Sequence, residues 1–311
     1  MTAVNPSSSP SLVARLIETG AHQKLLAFAS LVLLLIGFSI ASPNFMQTSN
    51  MIAILQATSV NGVLAVAATL VIITGGIDLS VGTLMTFCAV IAGVVLTNLG
   101  MPLPLGVIAA IATGALCGLC SGTFIAKMKI PPFIATLGMM LILKGLSLVI
   151  SGTRPIYFND TPGFDLISRG SLIGDIFPAL PIPNGVLILF LVAGVASYIL
   201  GRTVLGRYTF ALGSNEEAVR LSGVNTDFWK MSVYALAGSI CGIAGILIAS
   251  RLNSAQPALG LGYELEAIAA VVIGGTSLSG GRGTVLGTLI GALIMAVLTN
   301  GLRVLSVAQE W

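Results

Sequence analysis

The sequence predicts an all-α polytopic membrane protein with about nine transmembrane helices and a cytoplasmic N-terminus. Three observations carry that fold class. Hydrophobic residues make up 56% of the 311 and charged residues only 8%, against roughly 25% charged in soluble domains. The mean hydropathy is +1.02, and the 37 glycines that accompany it suit helices packed closely in lipid. The apolar residues also run unbroken, as from Leu25 to Ile40 and from Gly185 to Leu200, whereas a membrane β-barrel alternates polarity in segments of about ten residues. A formal charge of +3 is too small to indicate a nucleic-acid partner.

Residues 1–24, with Pro6, Pro10 and a run of serines, read as a disordered cytoplasmic leader. Residues 25–311 then form a single transmembrane domain. Its apolar windows are 25–41, 51–73, 81–98, 105–126, 133–150, 185–200, 231–249, 264–276 and 284–302. The first ends in Ser39-Ile40-Ala41, which mimics a cleavage site, but its long apolar run argues for a retained anchor. The eighth is short for a crossing, so a tilted, broken or half re-entrant segment is expected. With the N-terminus inside, nine basic residues fall on inner segments (Arg15, Lys24, Lys127, Lys129, Arg202, Arg207, Arg220, Lys230, Arg282). Four fall outside (Arg154, Arg169, Arg251, Arg303), and Lys144 lies within a span. That is the positive-inside bias.

Two connections are long. The outer one, 151–184, is rich in proline and glycine and reads as a docking or gating loop rather than a folded domain. The inner one, 201–230, carries the densest charge. Within it, Ser214-Asn215-Glu216-Glu217 has the spacing of a capping box, in which the serine oxygen accepts an N–H and Glu217 reaches back. Gly223 suits the left-handed residue that ends such a helix. The expected two-turn helix has its acids at the positive end of the dipole and Arg220 at the negative end. By spacing alone it is either a solvated loop helix or a rigid knob gripped by a partner.

Gly75-Gly-Ile-Asp-Leu-Ser-Val-Gly82 and Gly274-Gly-Thr-Ser-Leu-Ser-Gly-Gly281 agree at five of eight positions. A parallel internal repeat would produce that, and so would chance in a glycine-rich chain. In each, the glycine pair (Gly75 and Gly76, Gly274 and Gly275) permits the tight turn that satisfies the last carbonyls of a helix. Asp78 and Ser80 are placed to cap the next helix, with Ser279 at the corresponding place in the second turn; a substrate or proton group is the other reading of Asp78. Residues 275–282 lack the Gly-Lys-Ser/Thr ending of a phosphate loop, and no strand precedes them, so nucleotide binding is rejected.

Cys117 and Cys120 have the CxxC spacing, but with His22 the only histidine there are too few ligands for a metal site. The thiols read instead as small packing groups beside Gly114, Gly118 and Gly122. Gly238-x-x-x-Gly242 and Gly287-x-x-x-Gly291 mark further close-approach faces. Lys144, in mid-span, needs a wet or protein-facing site and a carboxylate partner, for which Glu264 and Glu266 are the nearest acids by depth. A direct contact between Lys144 and a transported polar solute is the other reading. Gln56, Ser59 and Asn61 line the second span, either along a pathway for a polar solute or in hydrogen bonds between helices.

Thr74-Gly-Gly-Ile-Asp-Leu-Ser-Val-Gly82, Ala211-Leu-Gly-Ser-Asn-Glu-Glu-Ala-Val-Arg-Leu-Ser-Gly223 and the stretch from Gly262 to Gly283 resemble, in this order, the permease subunits of ribose-type ABC sugar importers. The resemblance runs from about Leu25 to Arg303. It implies a homodimer in the bacterial inner membrane, with ATP-binding subunits docked in the cytoplasm, a periplasmic sugar-binding protein outside and 151–184 as a periplasmic loop. Ser214, Asn215, Glu216, Glu217, Arg220 and Gly223 would then couple to the ATPase. This chain would bind no cofactor, ATP and Mg being used by the partner, and would pass a ribose-like pentose or related hexose. Such permeases are usually read with ten spans, whereas nine here would leave Trp311 outside. An ion- or proton-coupled secondary transporter is the competing class. A membrane enzyme would need an acid/base, metal or nucleophile constellation that these residues do not offer.

Overall fold

The computed structural model describes residues 21–178 and 180–307. The first helix, α1 (Ala21–Ala41), begins inside the anticipated leader, so residues 21–24 are helical. The remainder of the leader, with Arg15, and the tail with Trp311 lie outside the described residues.

The other apolar windows each become a helix: α2 (Thr48–Ile73), α3 (Val81–Gly93, continued by a π-turn over Val94–Asn98), α4 (Leu103–Ala126), α5 (Pro132–Ile150) and α8 (Asn184–Arg202). The last three are α10 (Thr226–Leu252), α11 (Tyr263–Ile273) and α12 (Val285–Val304). Seven of these are long and apolar enough to cross a membrane. The eighth window is the exception. At 11 residues α11 rises about 16 Å, roughly half the ~30 Å hydrocarbon core. It is the anticipated short segment, reached through the non-helical stretch 256–262.

Helix α2 is the axis of the bundle. Every residue from Gly62 to Ile73 is buried, because α8, α10, α11 and α12 pack around it, and an all-round apolar helix belongs in such a core. A buried hydroxyl pair, Thr69 with Thr288 at 2.7 Å, joins it to α12.

Glycines set the other close contacts, since helices in lipid associate through packing rather than through exclusion of water. The α4 stripe and the Gly238-x-x-x-Gly242 face meet each other within the chain. A Cβ on Gly114 would overlap the Gly238 carbonyl oxygen, one on Gly118 that of Tyr234, and one on Gly242 would lie 2.6 Å from the Ala110 oxygen. Gly287 and Gly291 press likewise on Gly274 and Ala270. Cys117 is half-buried beside the first seam, but Cys120 is exposed on the outer face of α4, which corrects the reading of both thiols as packing groups.

The Pro-rich connection is folded rather than loose. Strand β1 (Ile156–Tyr157) pairs antiparallel with β2 (Ser254–Ala255). Two short helices follow, α6 (Leu166–Arg169) and α7 (Leu172–Ile176). Phe158 and Phe164 stack with centroids 4.0 Å apart in a buried pocket, and Ser250 of α10 accepts from Ser168 N while donating to the Phe164 carbonyl at 2.7 Å. This seats the connection on the helix ends.

Candidate functional site

Three motifs that are far apart in sequence meet at the end of the bundle that carries the charged connection. The chain leaves α8 through Thr203, whose hydroxyl accepts from Gly206 N to start α9 (Val204–Leu221). At Asn215 this helix breaks, with φ −163° and ψ 94°, and a shorter helical piece continues over 216–221. The break lies on the two glycine turns. Gly281 N donates to the Ile73 carbonyl at 2.9 Å, and a Cβ on Gly213 would overlap that same oxygen. One on Gly280 would lie 2.8 Å from Gly75 N, and one on Gly281 would lie 2.6 Å from Ser214 Oγ. Backbone thus rests on backbone where the C-terminus of α2, the 274–281 turn and the 213–215 break converge.

The cap of the short helix differs from the expected box. Asn215, not Ser214, is the capping residue: its Oδ1 accepts from Ala218 N at 3.0 Å. Glu217 does not reach back either, because it pairs with Arg220 one turn on. Ser214 is instead the group packed on Gly281. Gly223 has φ +82° and ends the helix as anticipated. Glu216 pairs with Lys230 of α10 at 2.5 Å and ties the short helix to the bundle. Glu217 and Arg220 face solvent, their side chains 60% and 53% exposed.

The two glycine turns share one geometry but not the anticipated register. In each, an N–H bonds back five residues to the helix, Gly76 N to Val71 O and Thr276 N to Val271 O, with the left-handed residue at Gly75 (φ +81°) and Gly275 (φ +86°). The equivalence is therefore Gly75 with Gly275, one residue away from the sequence match. Gly76 and Gly274 serve packing: a Cβ on Gly76 would lie 2.5 Å from the Tyr234 hydroxyl, and one on Gly274 would overlap Gly287. The local resemblance is thus that of two Schellman-type ends.

After the first turn, Asp78 accepts from Ser80 N at 2.8 Å and Ser80 Oγ at 2.6 Å, so the pair closes its own loop rather than capping α3. Burial pushes the Asp78 carboxyl upward, against the two Ser80 hydrogen bonds that lower it. Thr136 of α5 accepts from Leu79 N and donates to the Ile77 carbonyl, fixing the loop to the bundle. Ser279 lies in the second turn, where its carbonyl is 3.8 Å from the place of a Gly75 Cβ.

At the opposite end a cavity of about 340 Å³ opens between α2, α10, α11 and α12. Asn61 and Glu266 of the anticipated pathway line it and meet, with Asn61 Nδ2 donating to Glu266 Oε2 at 2.5 Å. The other anticipated pathway residues are elsewhere. Ser59 is buried, bonded to the Gln56 carbonyl and facing Gly185 of α8. Gln56 and Lys144 are half-buried away from the cavity. Glu264 accepts from Gly262 N with both carboxylate oxygens at 3.1 Å, at the positive end of α11. Neither acid therefore pairs with Lys144, which lines a small crevice with Thr83, Thr86, Ser147, Pro257, Ala258, Gly260 and Leu261. The anticipated lysine–glutamate tie is absent among the described residues, because each acid already has a nearer N–H donor.

Arg251, Tyr263, Asn300 and Arg303 also line the cavity and were not singled out from the sequence. The window boundaries hid the arginines. Helix α10 runs to Leu252 and α12 to Val304, past the windows' ends at 249 and 302, so residues counted as loop charges stand on helices.

A family profile described as "Branched-chain amino acid transport system / permease component" matches residues 50–311. The chain belongs to this permease family. The permease is 46% identical over 282 residues to the Ribose import permease protein RbsC of Escherichia coli (strain K12), covering 91% of this chain and 86% of that one. It is 40% identical to the Fructose import permease protein FrcC of Rhizobium meliloti, covering 90% and 78%. It is 33% identical to the Xylose transport system permease protein XylH of Haemophilus influenzae, covering 88% of each. No solved structure matches the permease significantly.

Proposed function

We propose that the permease is the membrane-spanning subunit of a binding-protein-dependent ABC importer that moves a monosaccharide, a ribose-like pentose or a related hexose, into the cytoplasm of a bacterium. The observation that carries this reading is the junction at Gly75, Gly213 and Gly281. The backbone at Gly213, from which the solvent-facing helix 216–221 continues, rests on the C-terminal carbonyl of α2 and on the Gly280–Gly281 turn that follows α11, so a push on that short helix is passed to both helices. ATP hydrolysis in partner subunits supplies the push. Glu217 and Arg220 meet that partner, Ser214, Asn215, Glu216 and Gly223 hold the helix in place, and a second copy of the permease completes the pathway. The N-terminus is cytoplasmic, and the folded 151–184 connection faces the sugar-binding protein. Asn61 and Glu266 lie on the translocation pathway.

The test is the double variant Glu217→Ala/Arg220→Ala in proteoliposomes with both partners. Membrane insertion is expected to be unchanged, ATP hydrolysis retained and sugar uptake lost; intact coupling overturns the assignment. A secondary transporter is the competing reading, and Glu266 in a cavity between the apolar helices is the observation in its favour. Uptake driven by a proton or sodium gradient without ATP would decide for it.

A further inference from the structure

We propose that the cavity between α2, α10, α11 and α12 is a sugar-recognition station belonging to the permease itself, sized for one monosaccharide ring. The proposal rests on the importer reading and adds a site with selectivity of its own. The cavity's volume, about 340 Å³, is near the lower end of small-molecule sites, roughly 300–1,000 Å³, and is enough for one sugar ring. Its polar groups converge from four helices: Asn61, Arg251, Glu266 and Arg303, with Asn300 and the phenol of Tyr263. A guanidinium donates through a fixed fork, a carboxylate accepts, and an amide does both, the complement of vicinal hydroxyls, each of which donates and accepts. Tyr263 adds an aromatic ring to the lining, a group that packs well on the C–H face of a sugar.

The Asn61–Glu266 hydrogen bond, at 2.5 Å, joins these two groups across the cavity, and a sugar hydroxyl would exchange with it. Helix α11, which carries Tyr263 and Glu266, is also the helix whose far end forms the 274–281 turn of the junction. Occupancy of the cavity and movement of the short helix therefore act on one 11-residue element.

Equilibrium binding of radiolabelled ribose, fructose and xylose to the purified permease in nanodiscs, without a binding protein, tests this. Saturable binding of at least one is expected, with sucrose failing to compete. Glu266→Gln, Asn61→Leu and Arg251→Gln should each weaken it about tenfold or more, as expected for a lost hydrogen bond to a charged group, and Lys144→Met, outside the cavity, should not. Should a variant fail to fold, alkylation of a Thr299→Cys permease gives a second readout, and the bound monosaccharide should slow it where sucrose does not. No saturable binding, equal competition by sucrose or unaltered binding in all three variants overturns the station. ATP-driven uptake by the complete complex, measured alongside, separates the two claims. Uptake without permease binding leaves the importer reading standing, and binding without ATP-driven uptake overturns that reading.

Discussion

Gly213 sits where no side chain fits, because a Cβ there would overlap the Ile73 carbonyl oxygen and lie 2.5 Å from Gly281 N. The obstruction is backbone on both sides, so neither neighbour can rotate away. Overpacking of this kind costs about 1–3 kcal/mol. Gly213→Ala is expected to lower the thermal midpoint and reduce uptake per ATP hydrolysed, as measured by unfolding and by paired uptake and hydrolysis assays. Gly223→Ala, with open space around it, carries only the left-handed penalty and should be milder. Asp78 separates shape from charge. Asp78→Asn keeps the Oδ1 acceptor for Ser80, and burial already disfavours the ionised form, so stability near wild type is expected. Asp78→Leu orphans the Ser80 donors and should cost about 1–3 kcal/mol. Lys144 shows the limit of reading residues by depth. Composition put it in mid-membrane, but its neighbours depend on a non-helical stretch that no window resolves. With no carboxylate partner among the described residues, Lys144→Met should insert as well as or better than wild type, since a mid-bilayer lysine costs roughly 2.5–3.5 kcal/mol on the insertion scale. Membrane yield checks this.

At the scale of elements, the short helix 216–221 is held by one ion pair, Glu216 with Lys230. Lys230→Met is expected to loosen the helix and lower coupling, and the exchange Glu216→Lys with Lys230→Glu to restore it; paired hydrolysis and uptake rates read both effects. The existence of this helix and its glycine end were legible from Ser214 to Gly223, since capping is local chemistry. Its capping residue was not, because Ser214 is drawn onto Gly281 by a contact more than sixty residues away. The same holds for the cavity. Asn61 and Glu266 stand out as polar groups in apolar runs, whereas Arg251 and Arg303 look like loop charges until the helices are seen to extend beneath them. The α4–α10 seam was visible as glycine spacing on each helix, but only the fold pairs the two stripes. Gly114→Leu should therefore fail to pack, as thermal stability in detergent would show.

For the whole molecule, the architecture joins two ends through few parts. A polar cavity lies at the end that carries the Pro-rich connection, a backbone junction lies at the other, and α2 and α11 run between them. Hydropathy fixed the number of apolar helices and the shortness of α11, while the folding of residues 151–184 onto Ser250 depended on two aromatic residues in a loop that otherwise reads as proline and glycine. The central claim is that force applied to 216–221 opens a monosaccharide path. Its most direct test is sugar uptake by proteoliposomes containing the permease, its ATP-binding subunit and its sugar-binding protein, assayed with ATP, with a non-hydrolysable analogue, and with an imposed ion gradient alone. Uptake that requires hydrolysable ATP and falls to background in the Glu217→Ala/Arg220→Ala variant is the predicted result. Uptake sustained by the gradient alone, or unchanged in that variant, would contradict the account.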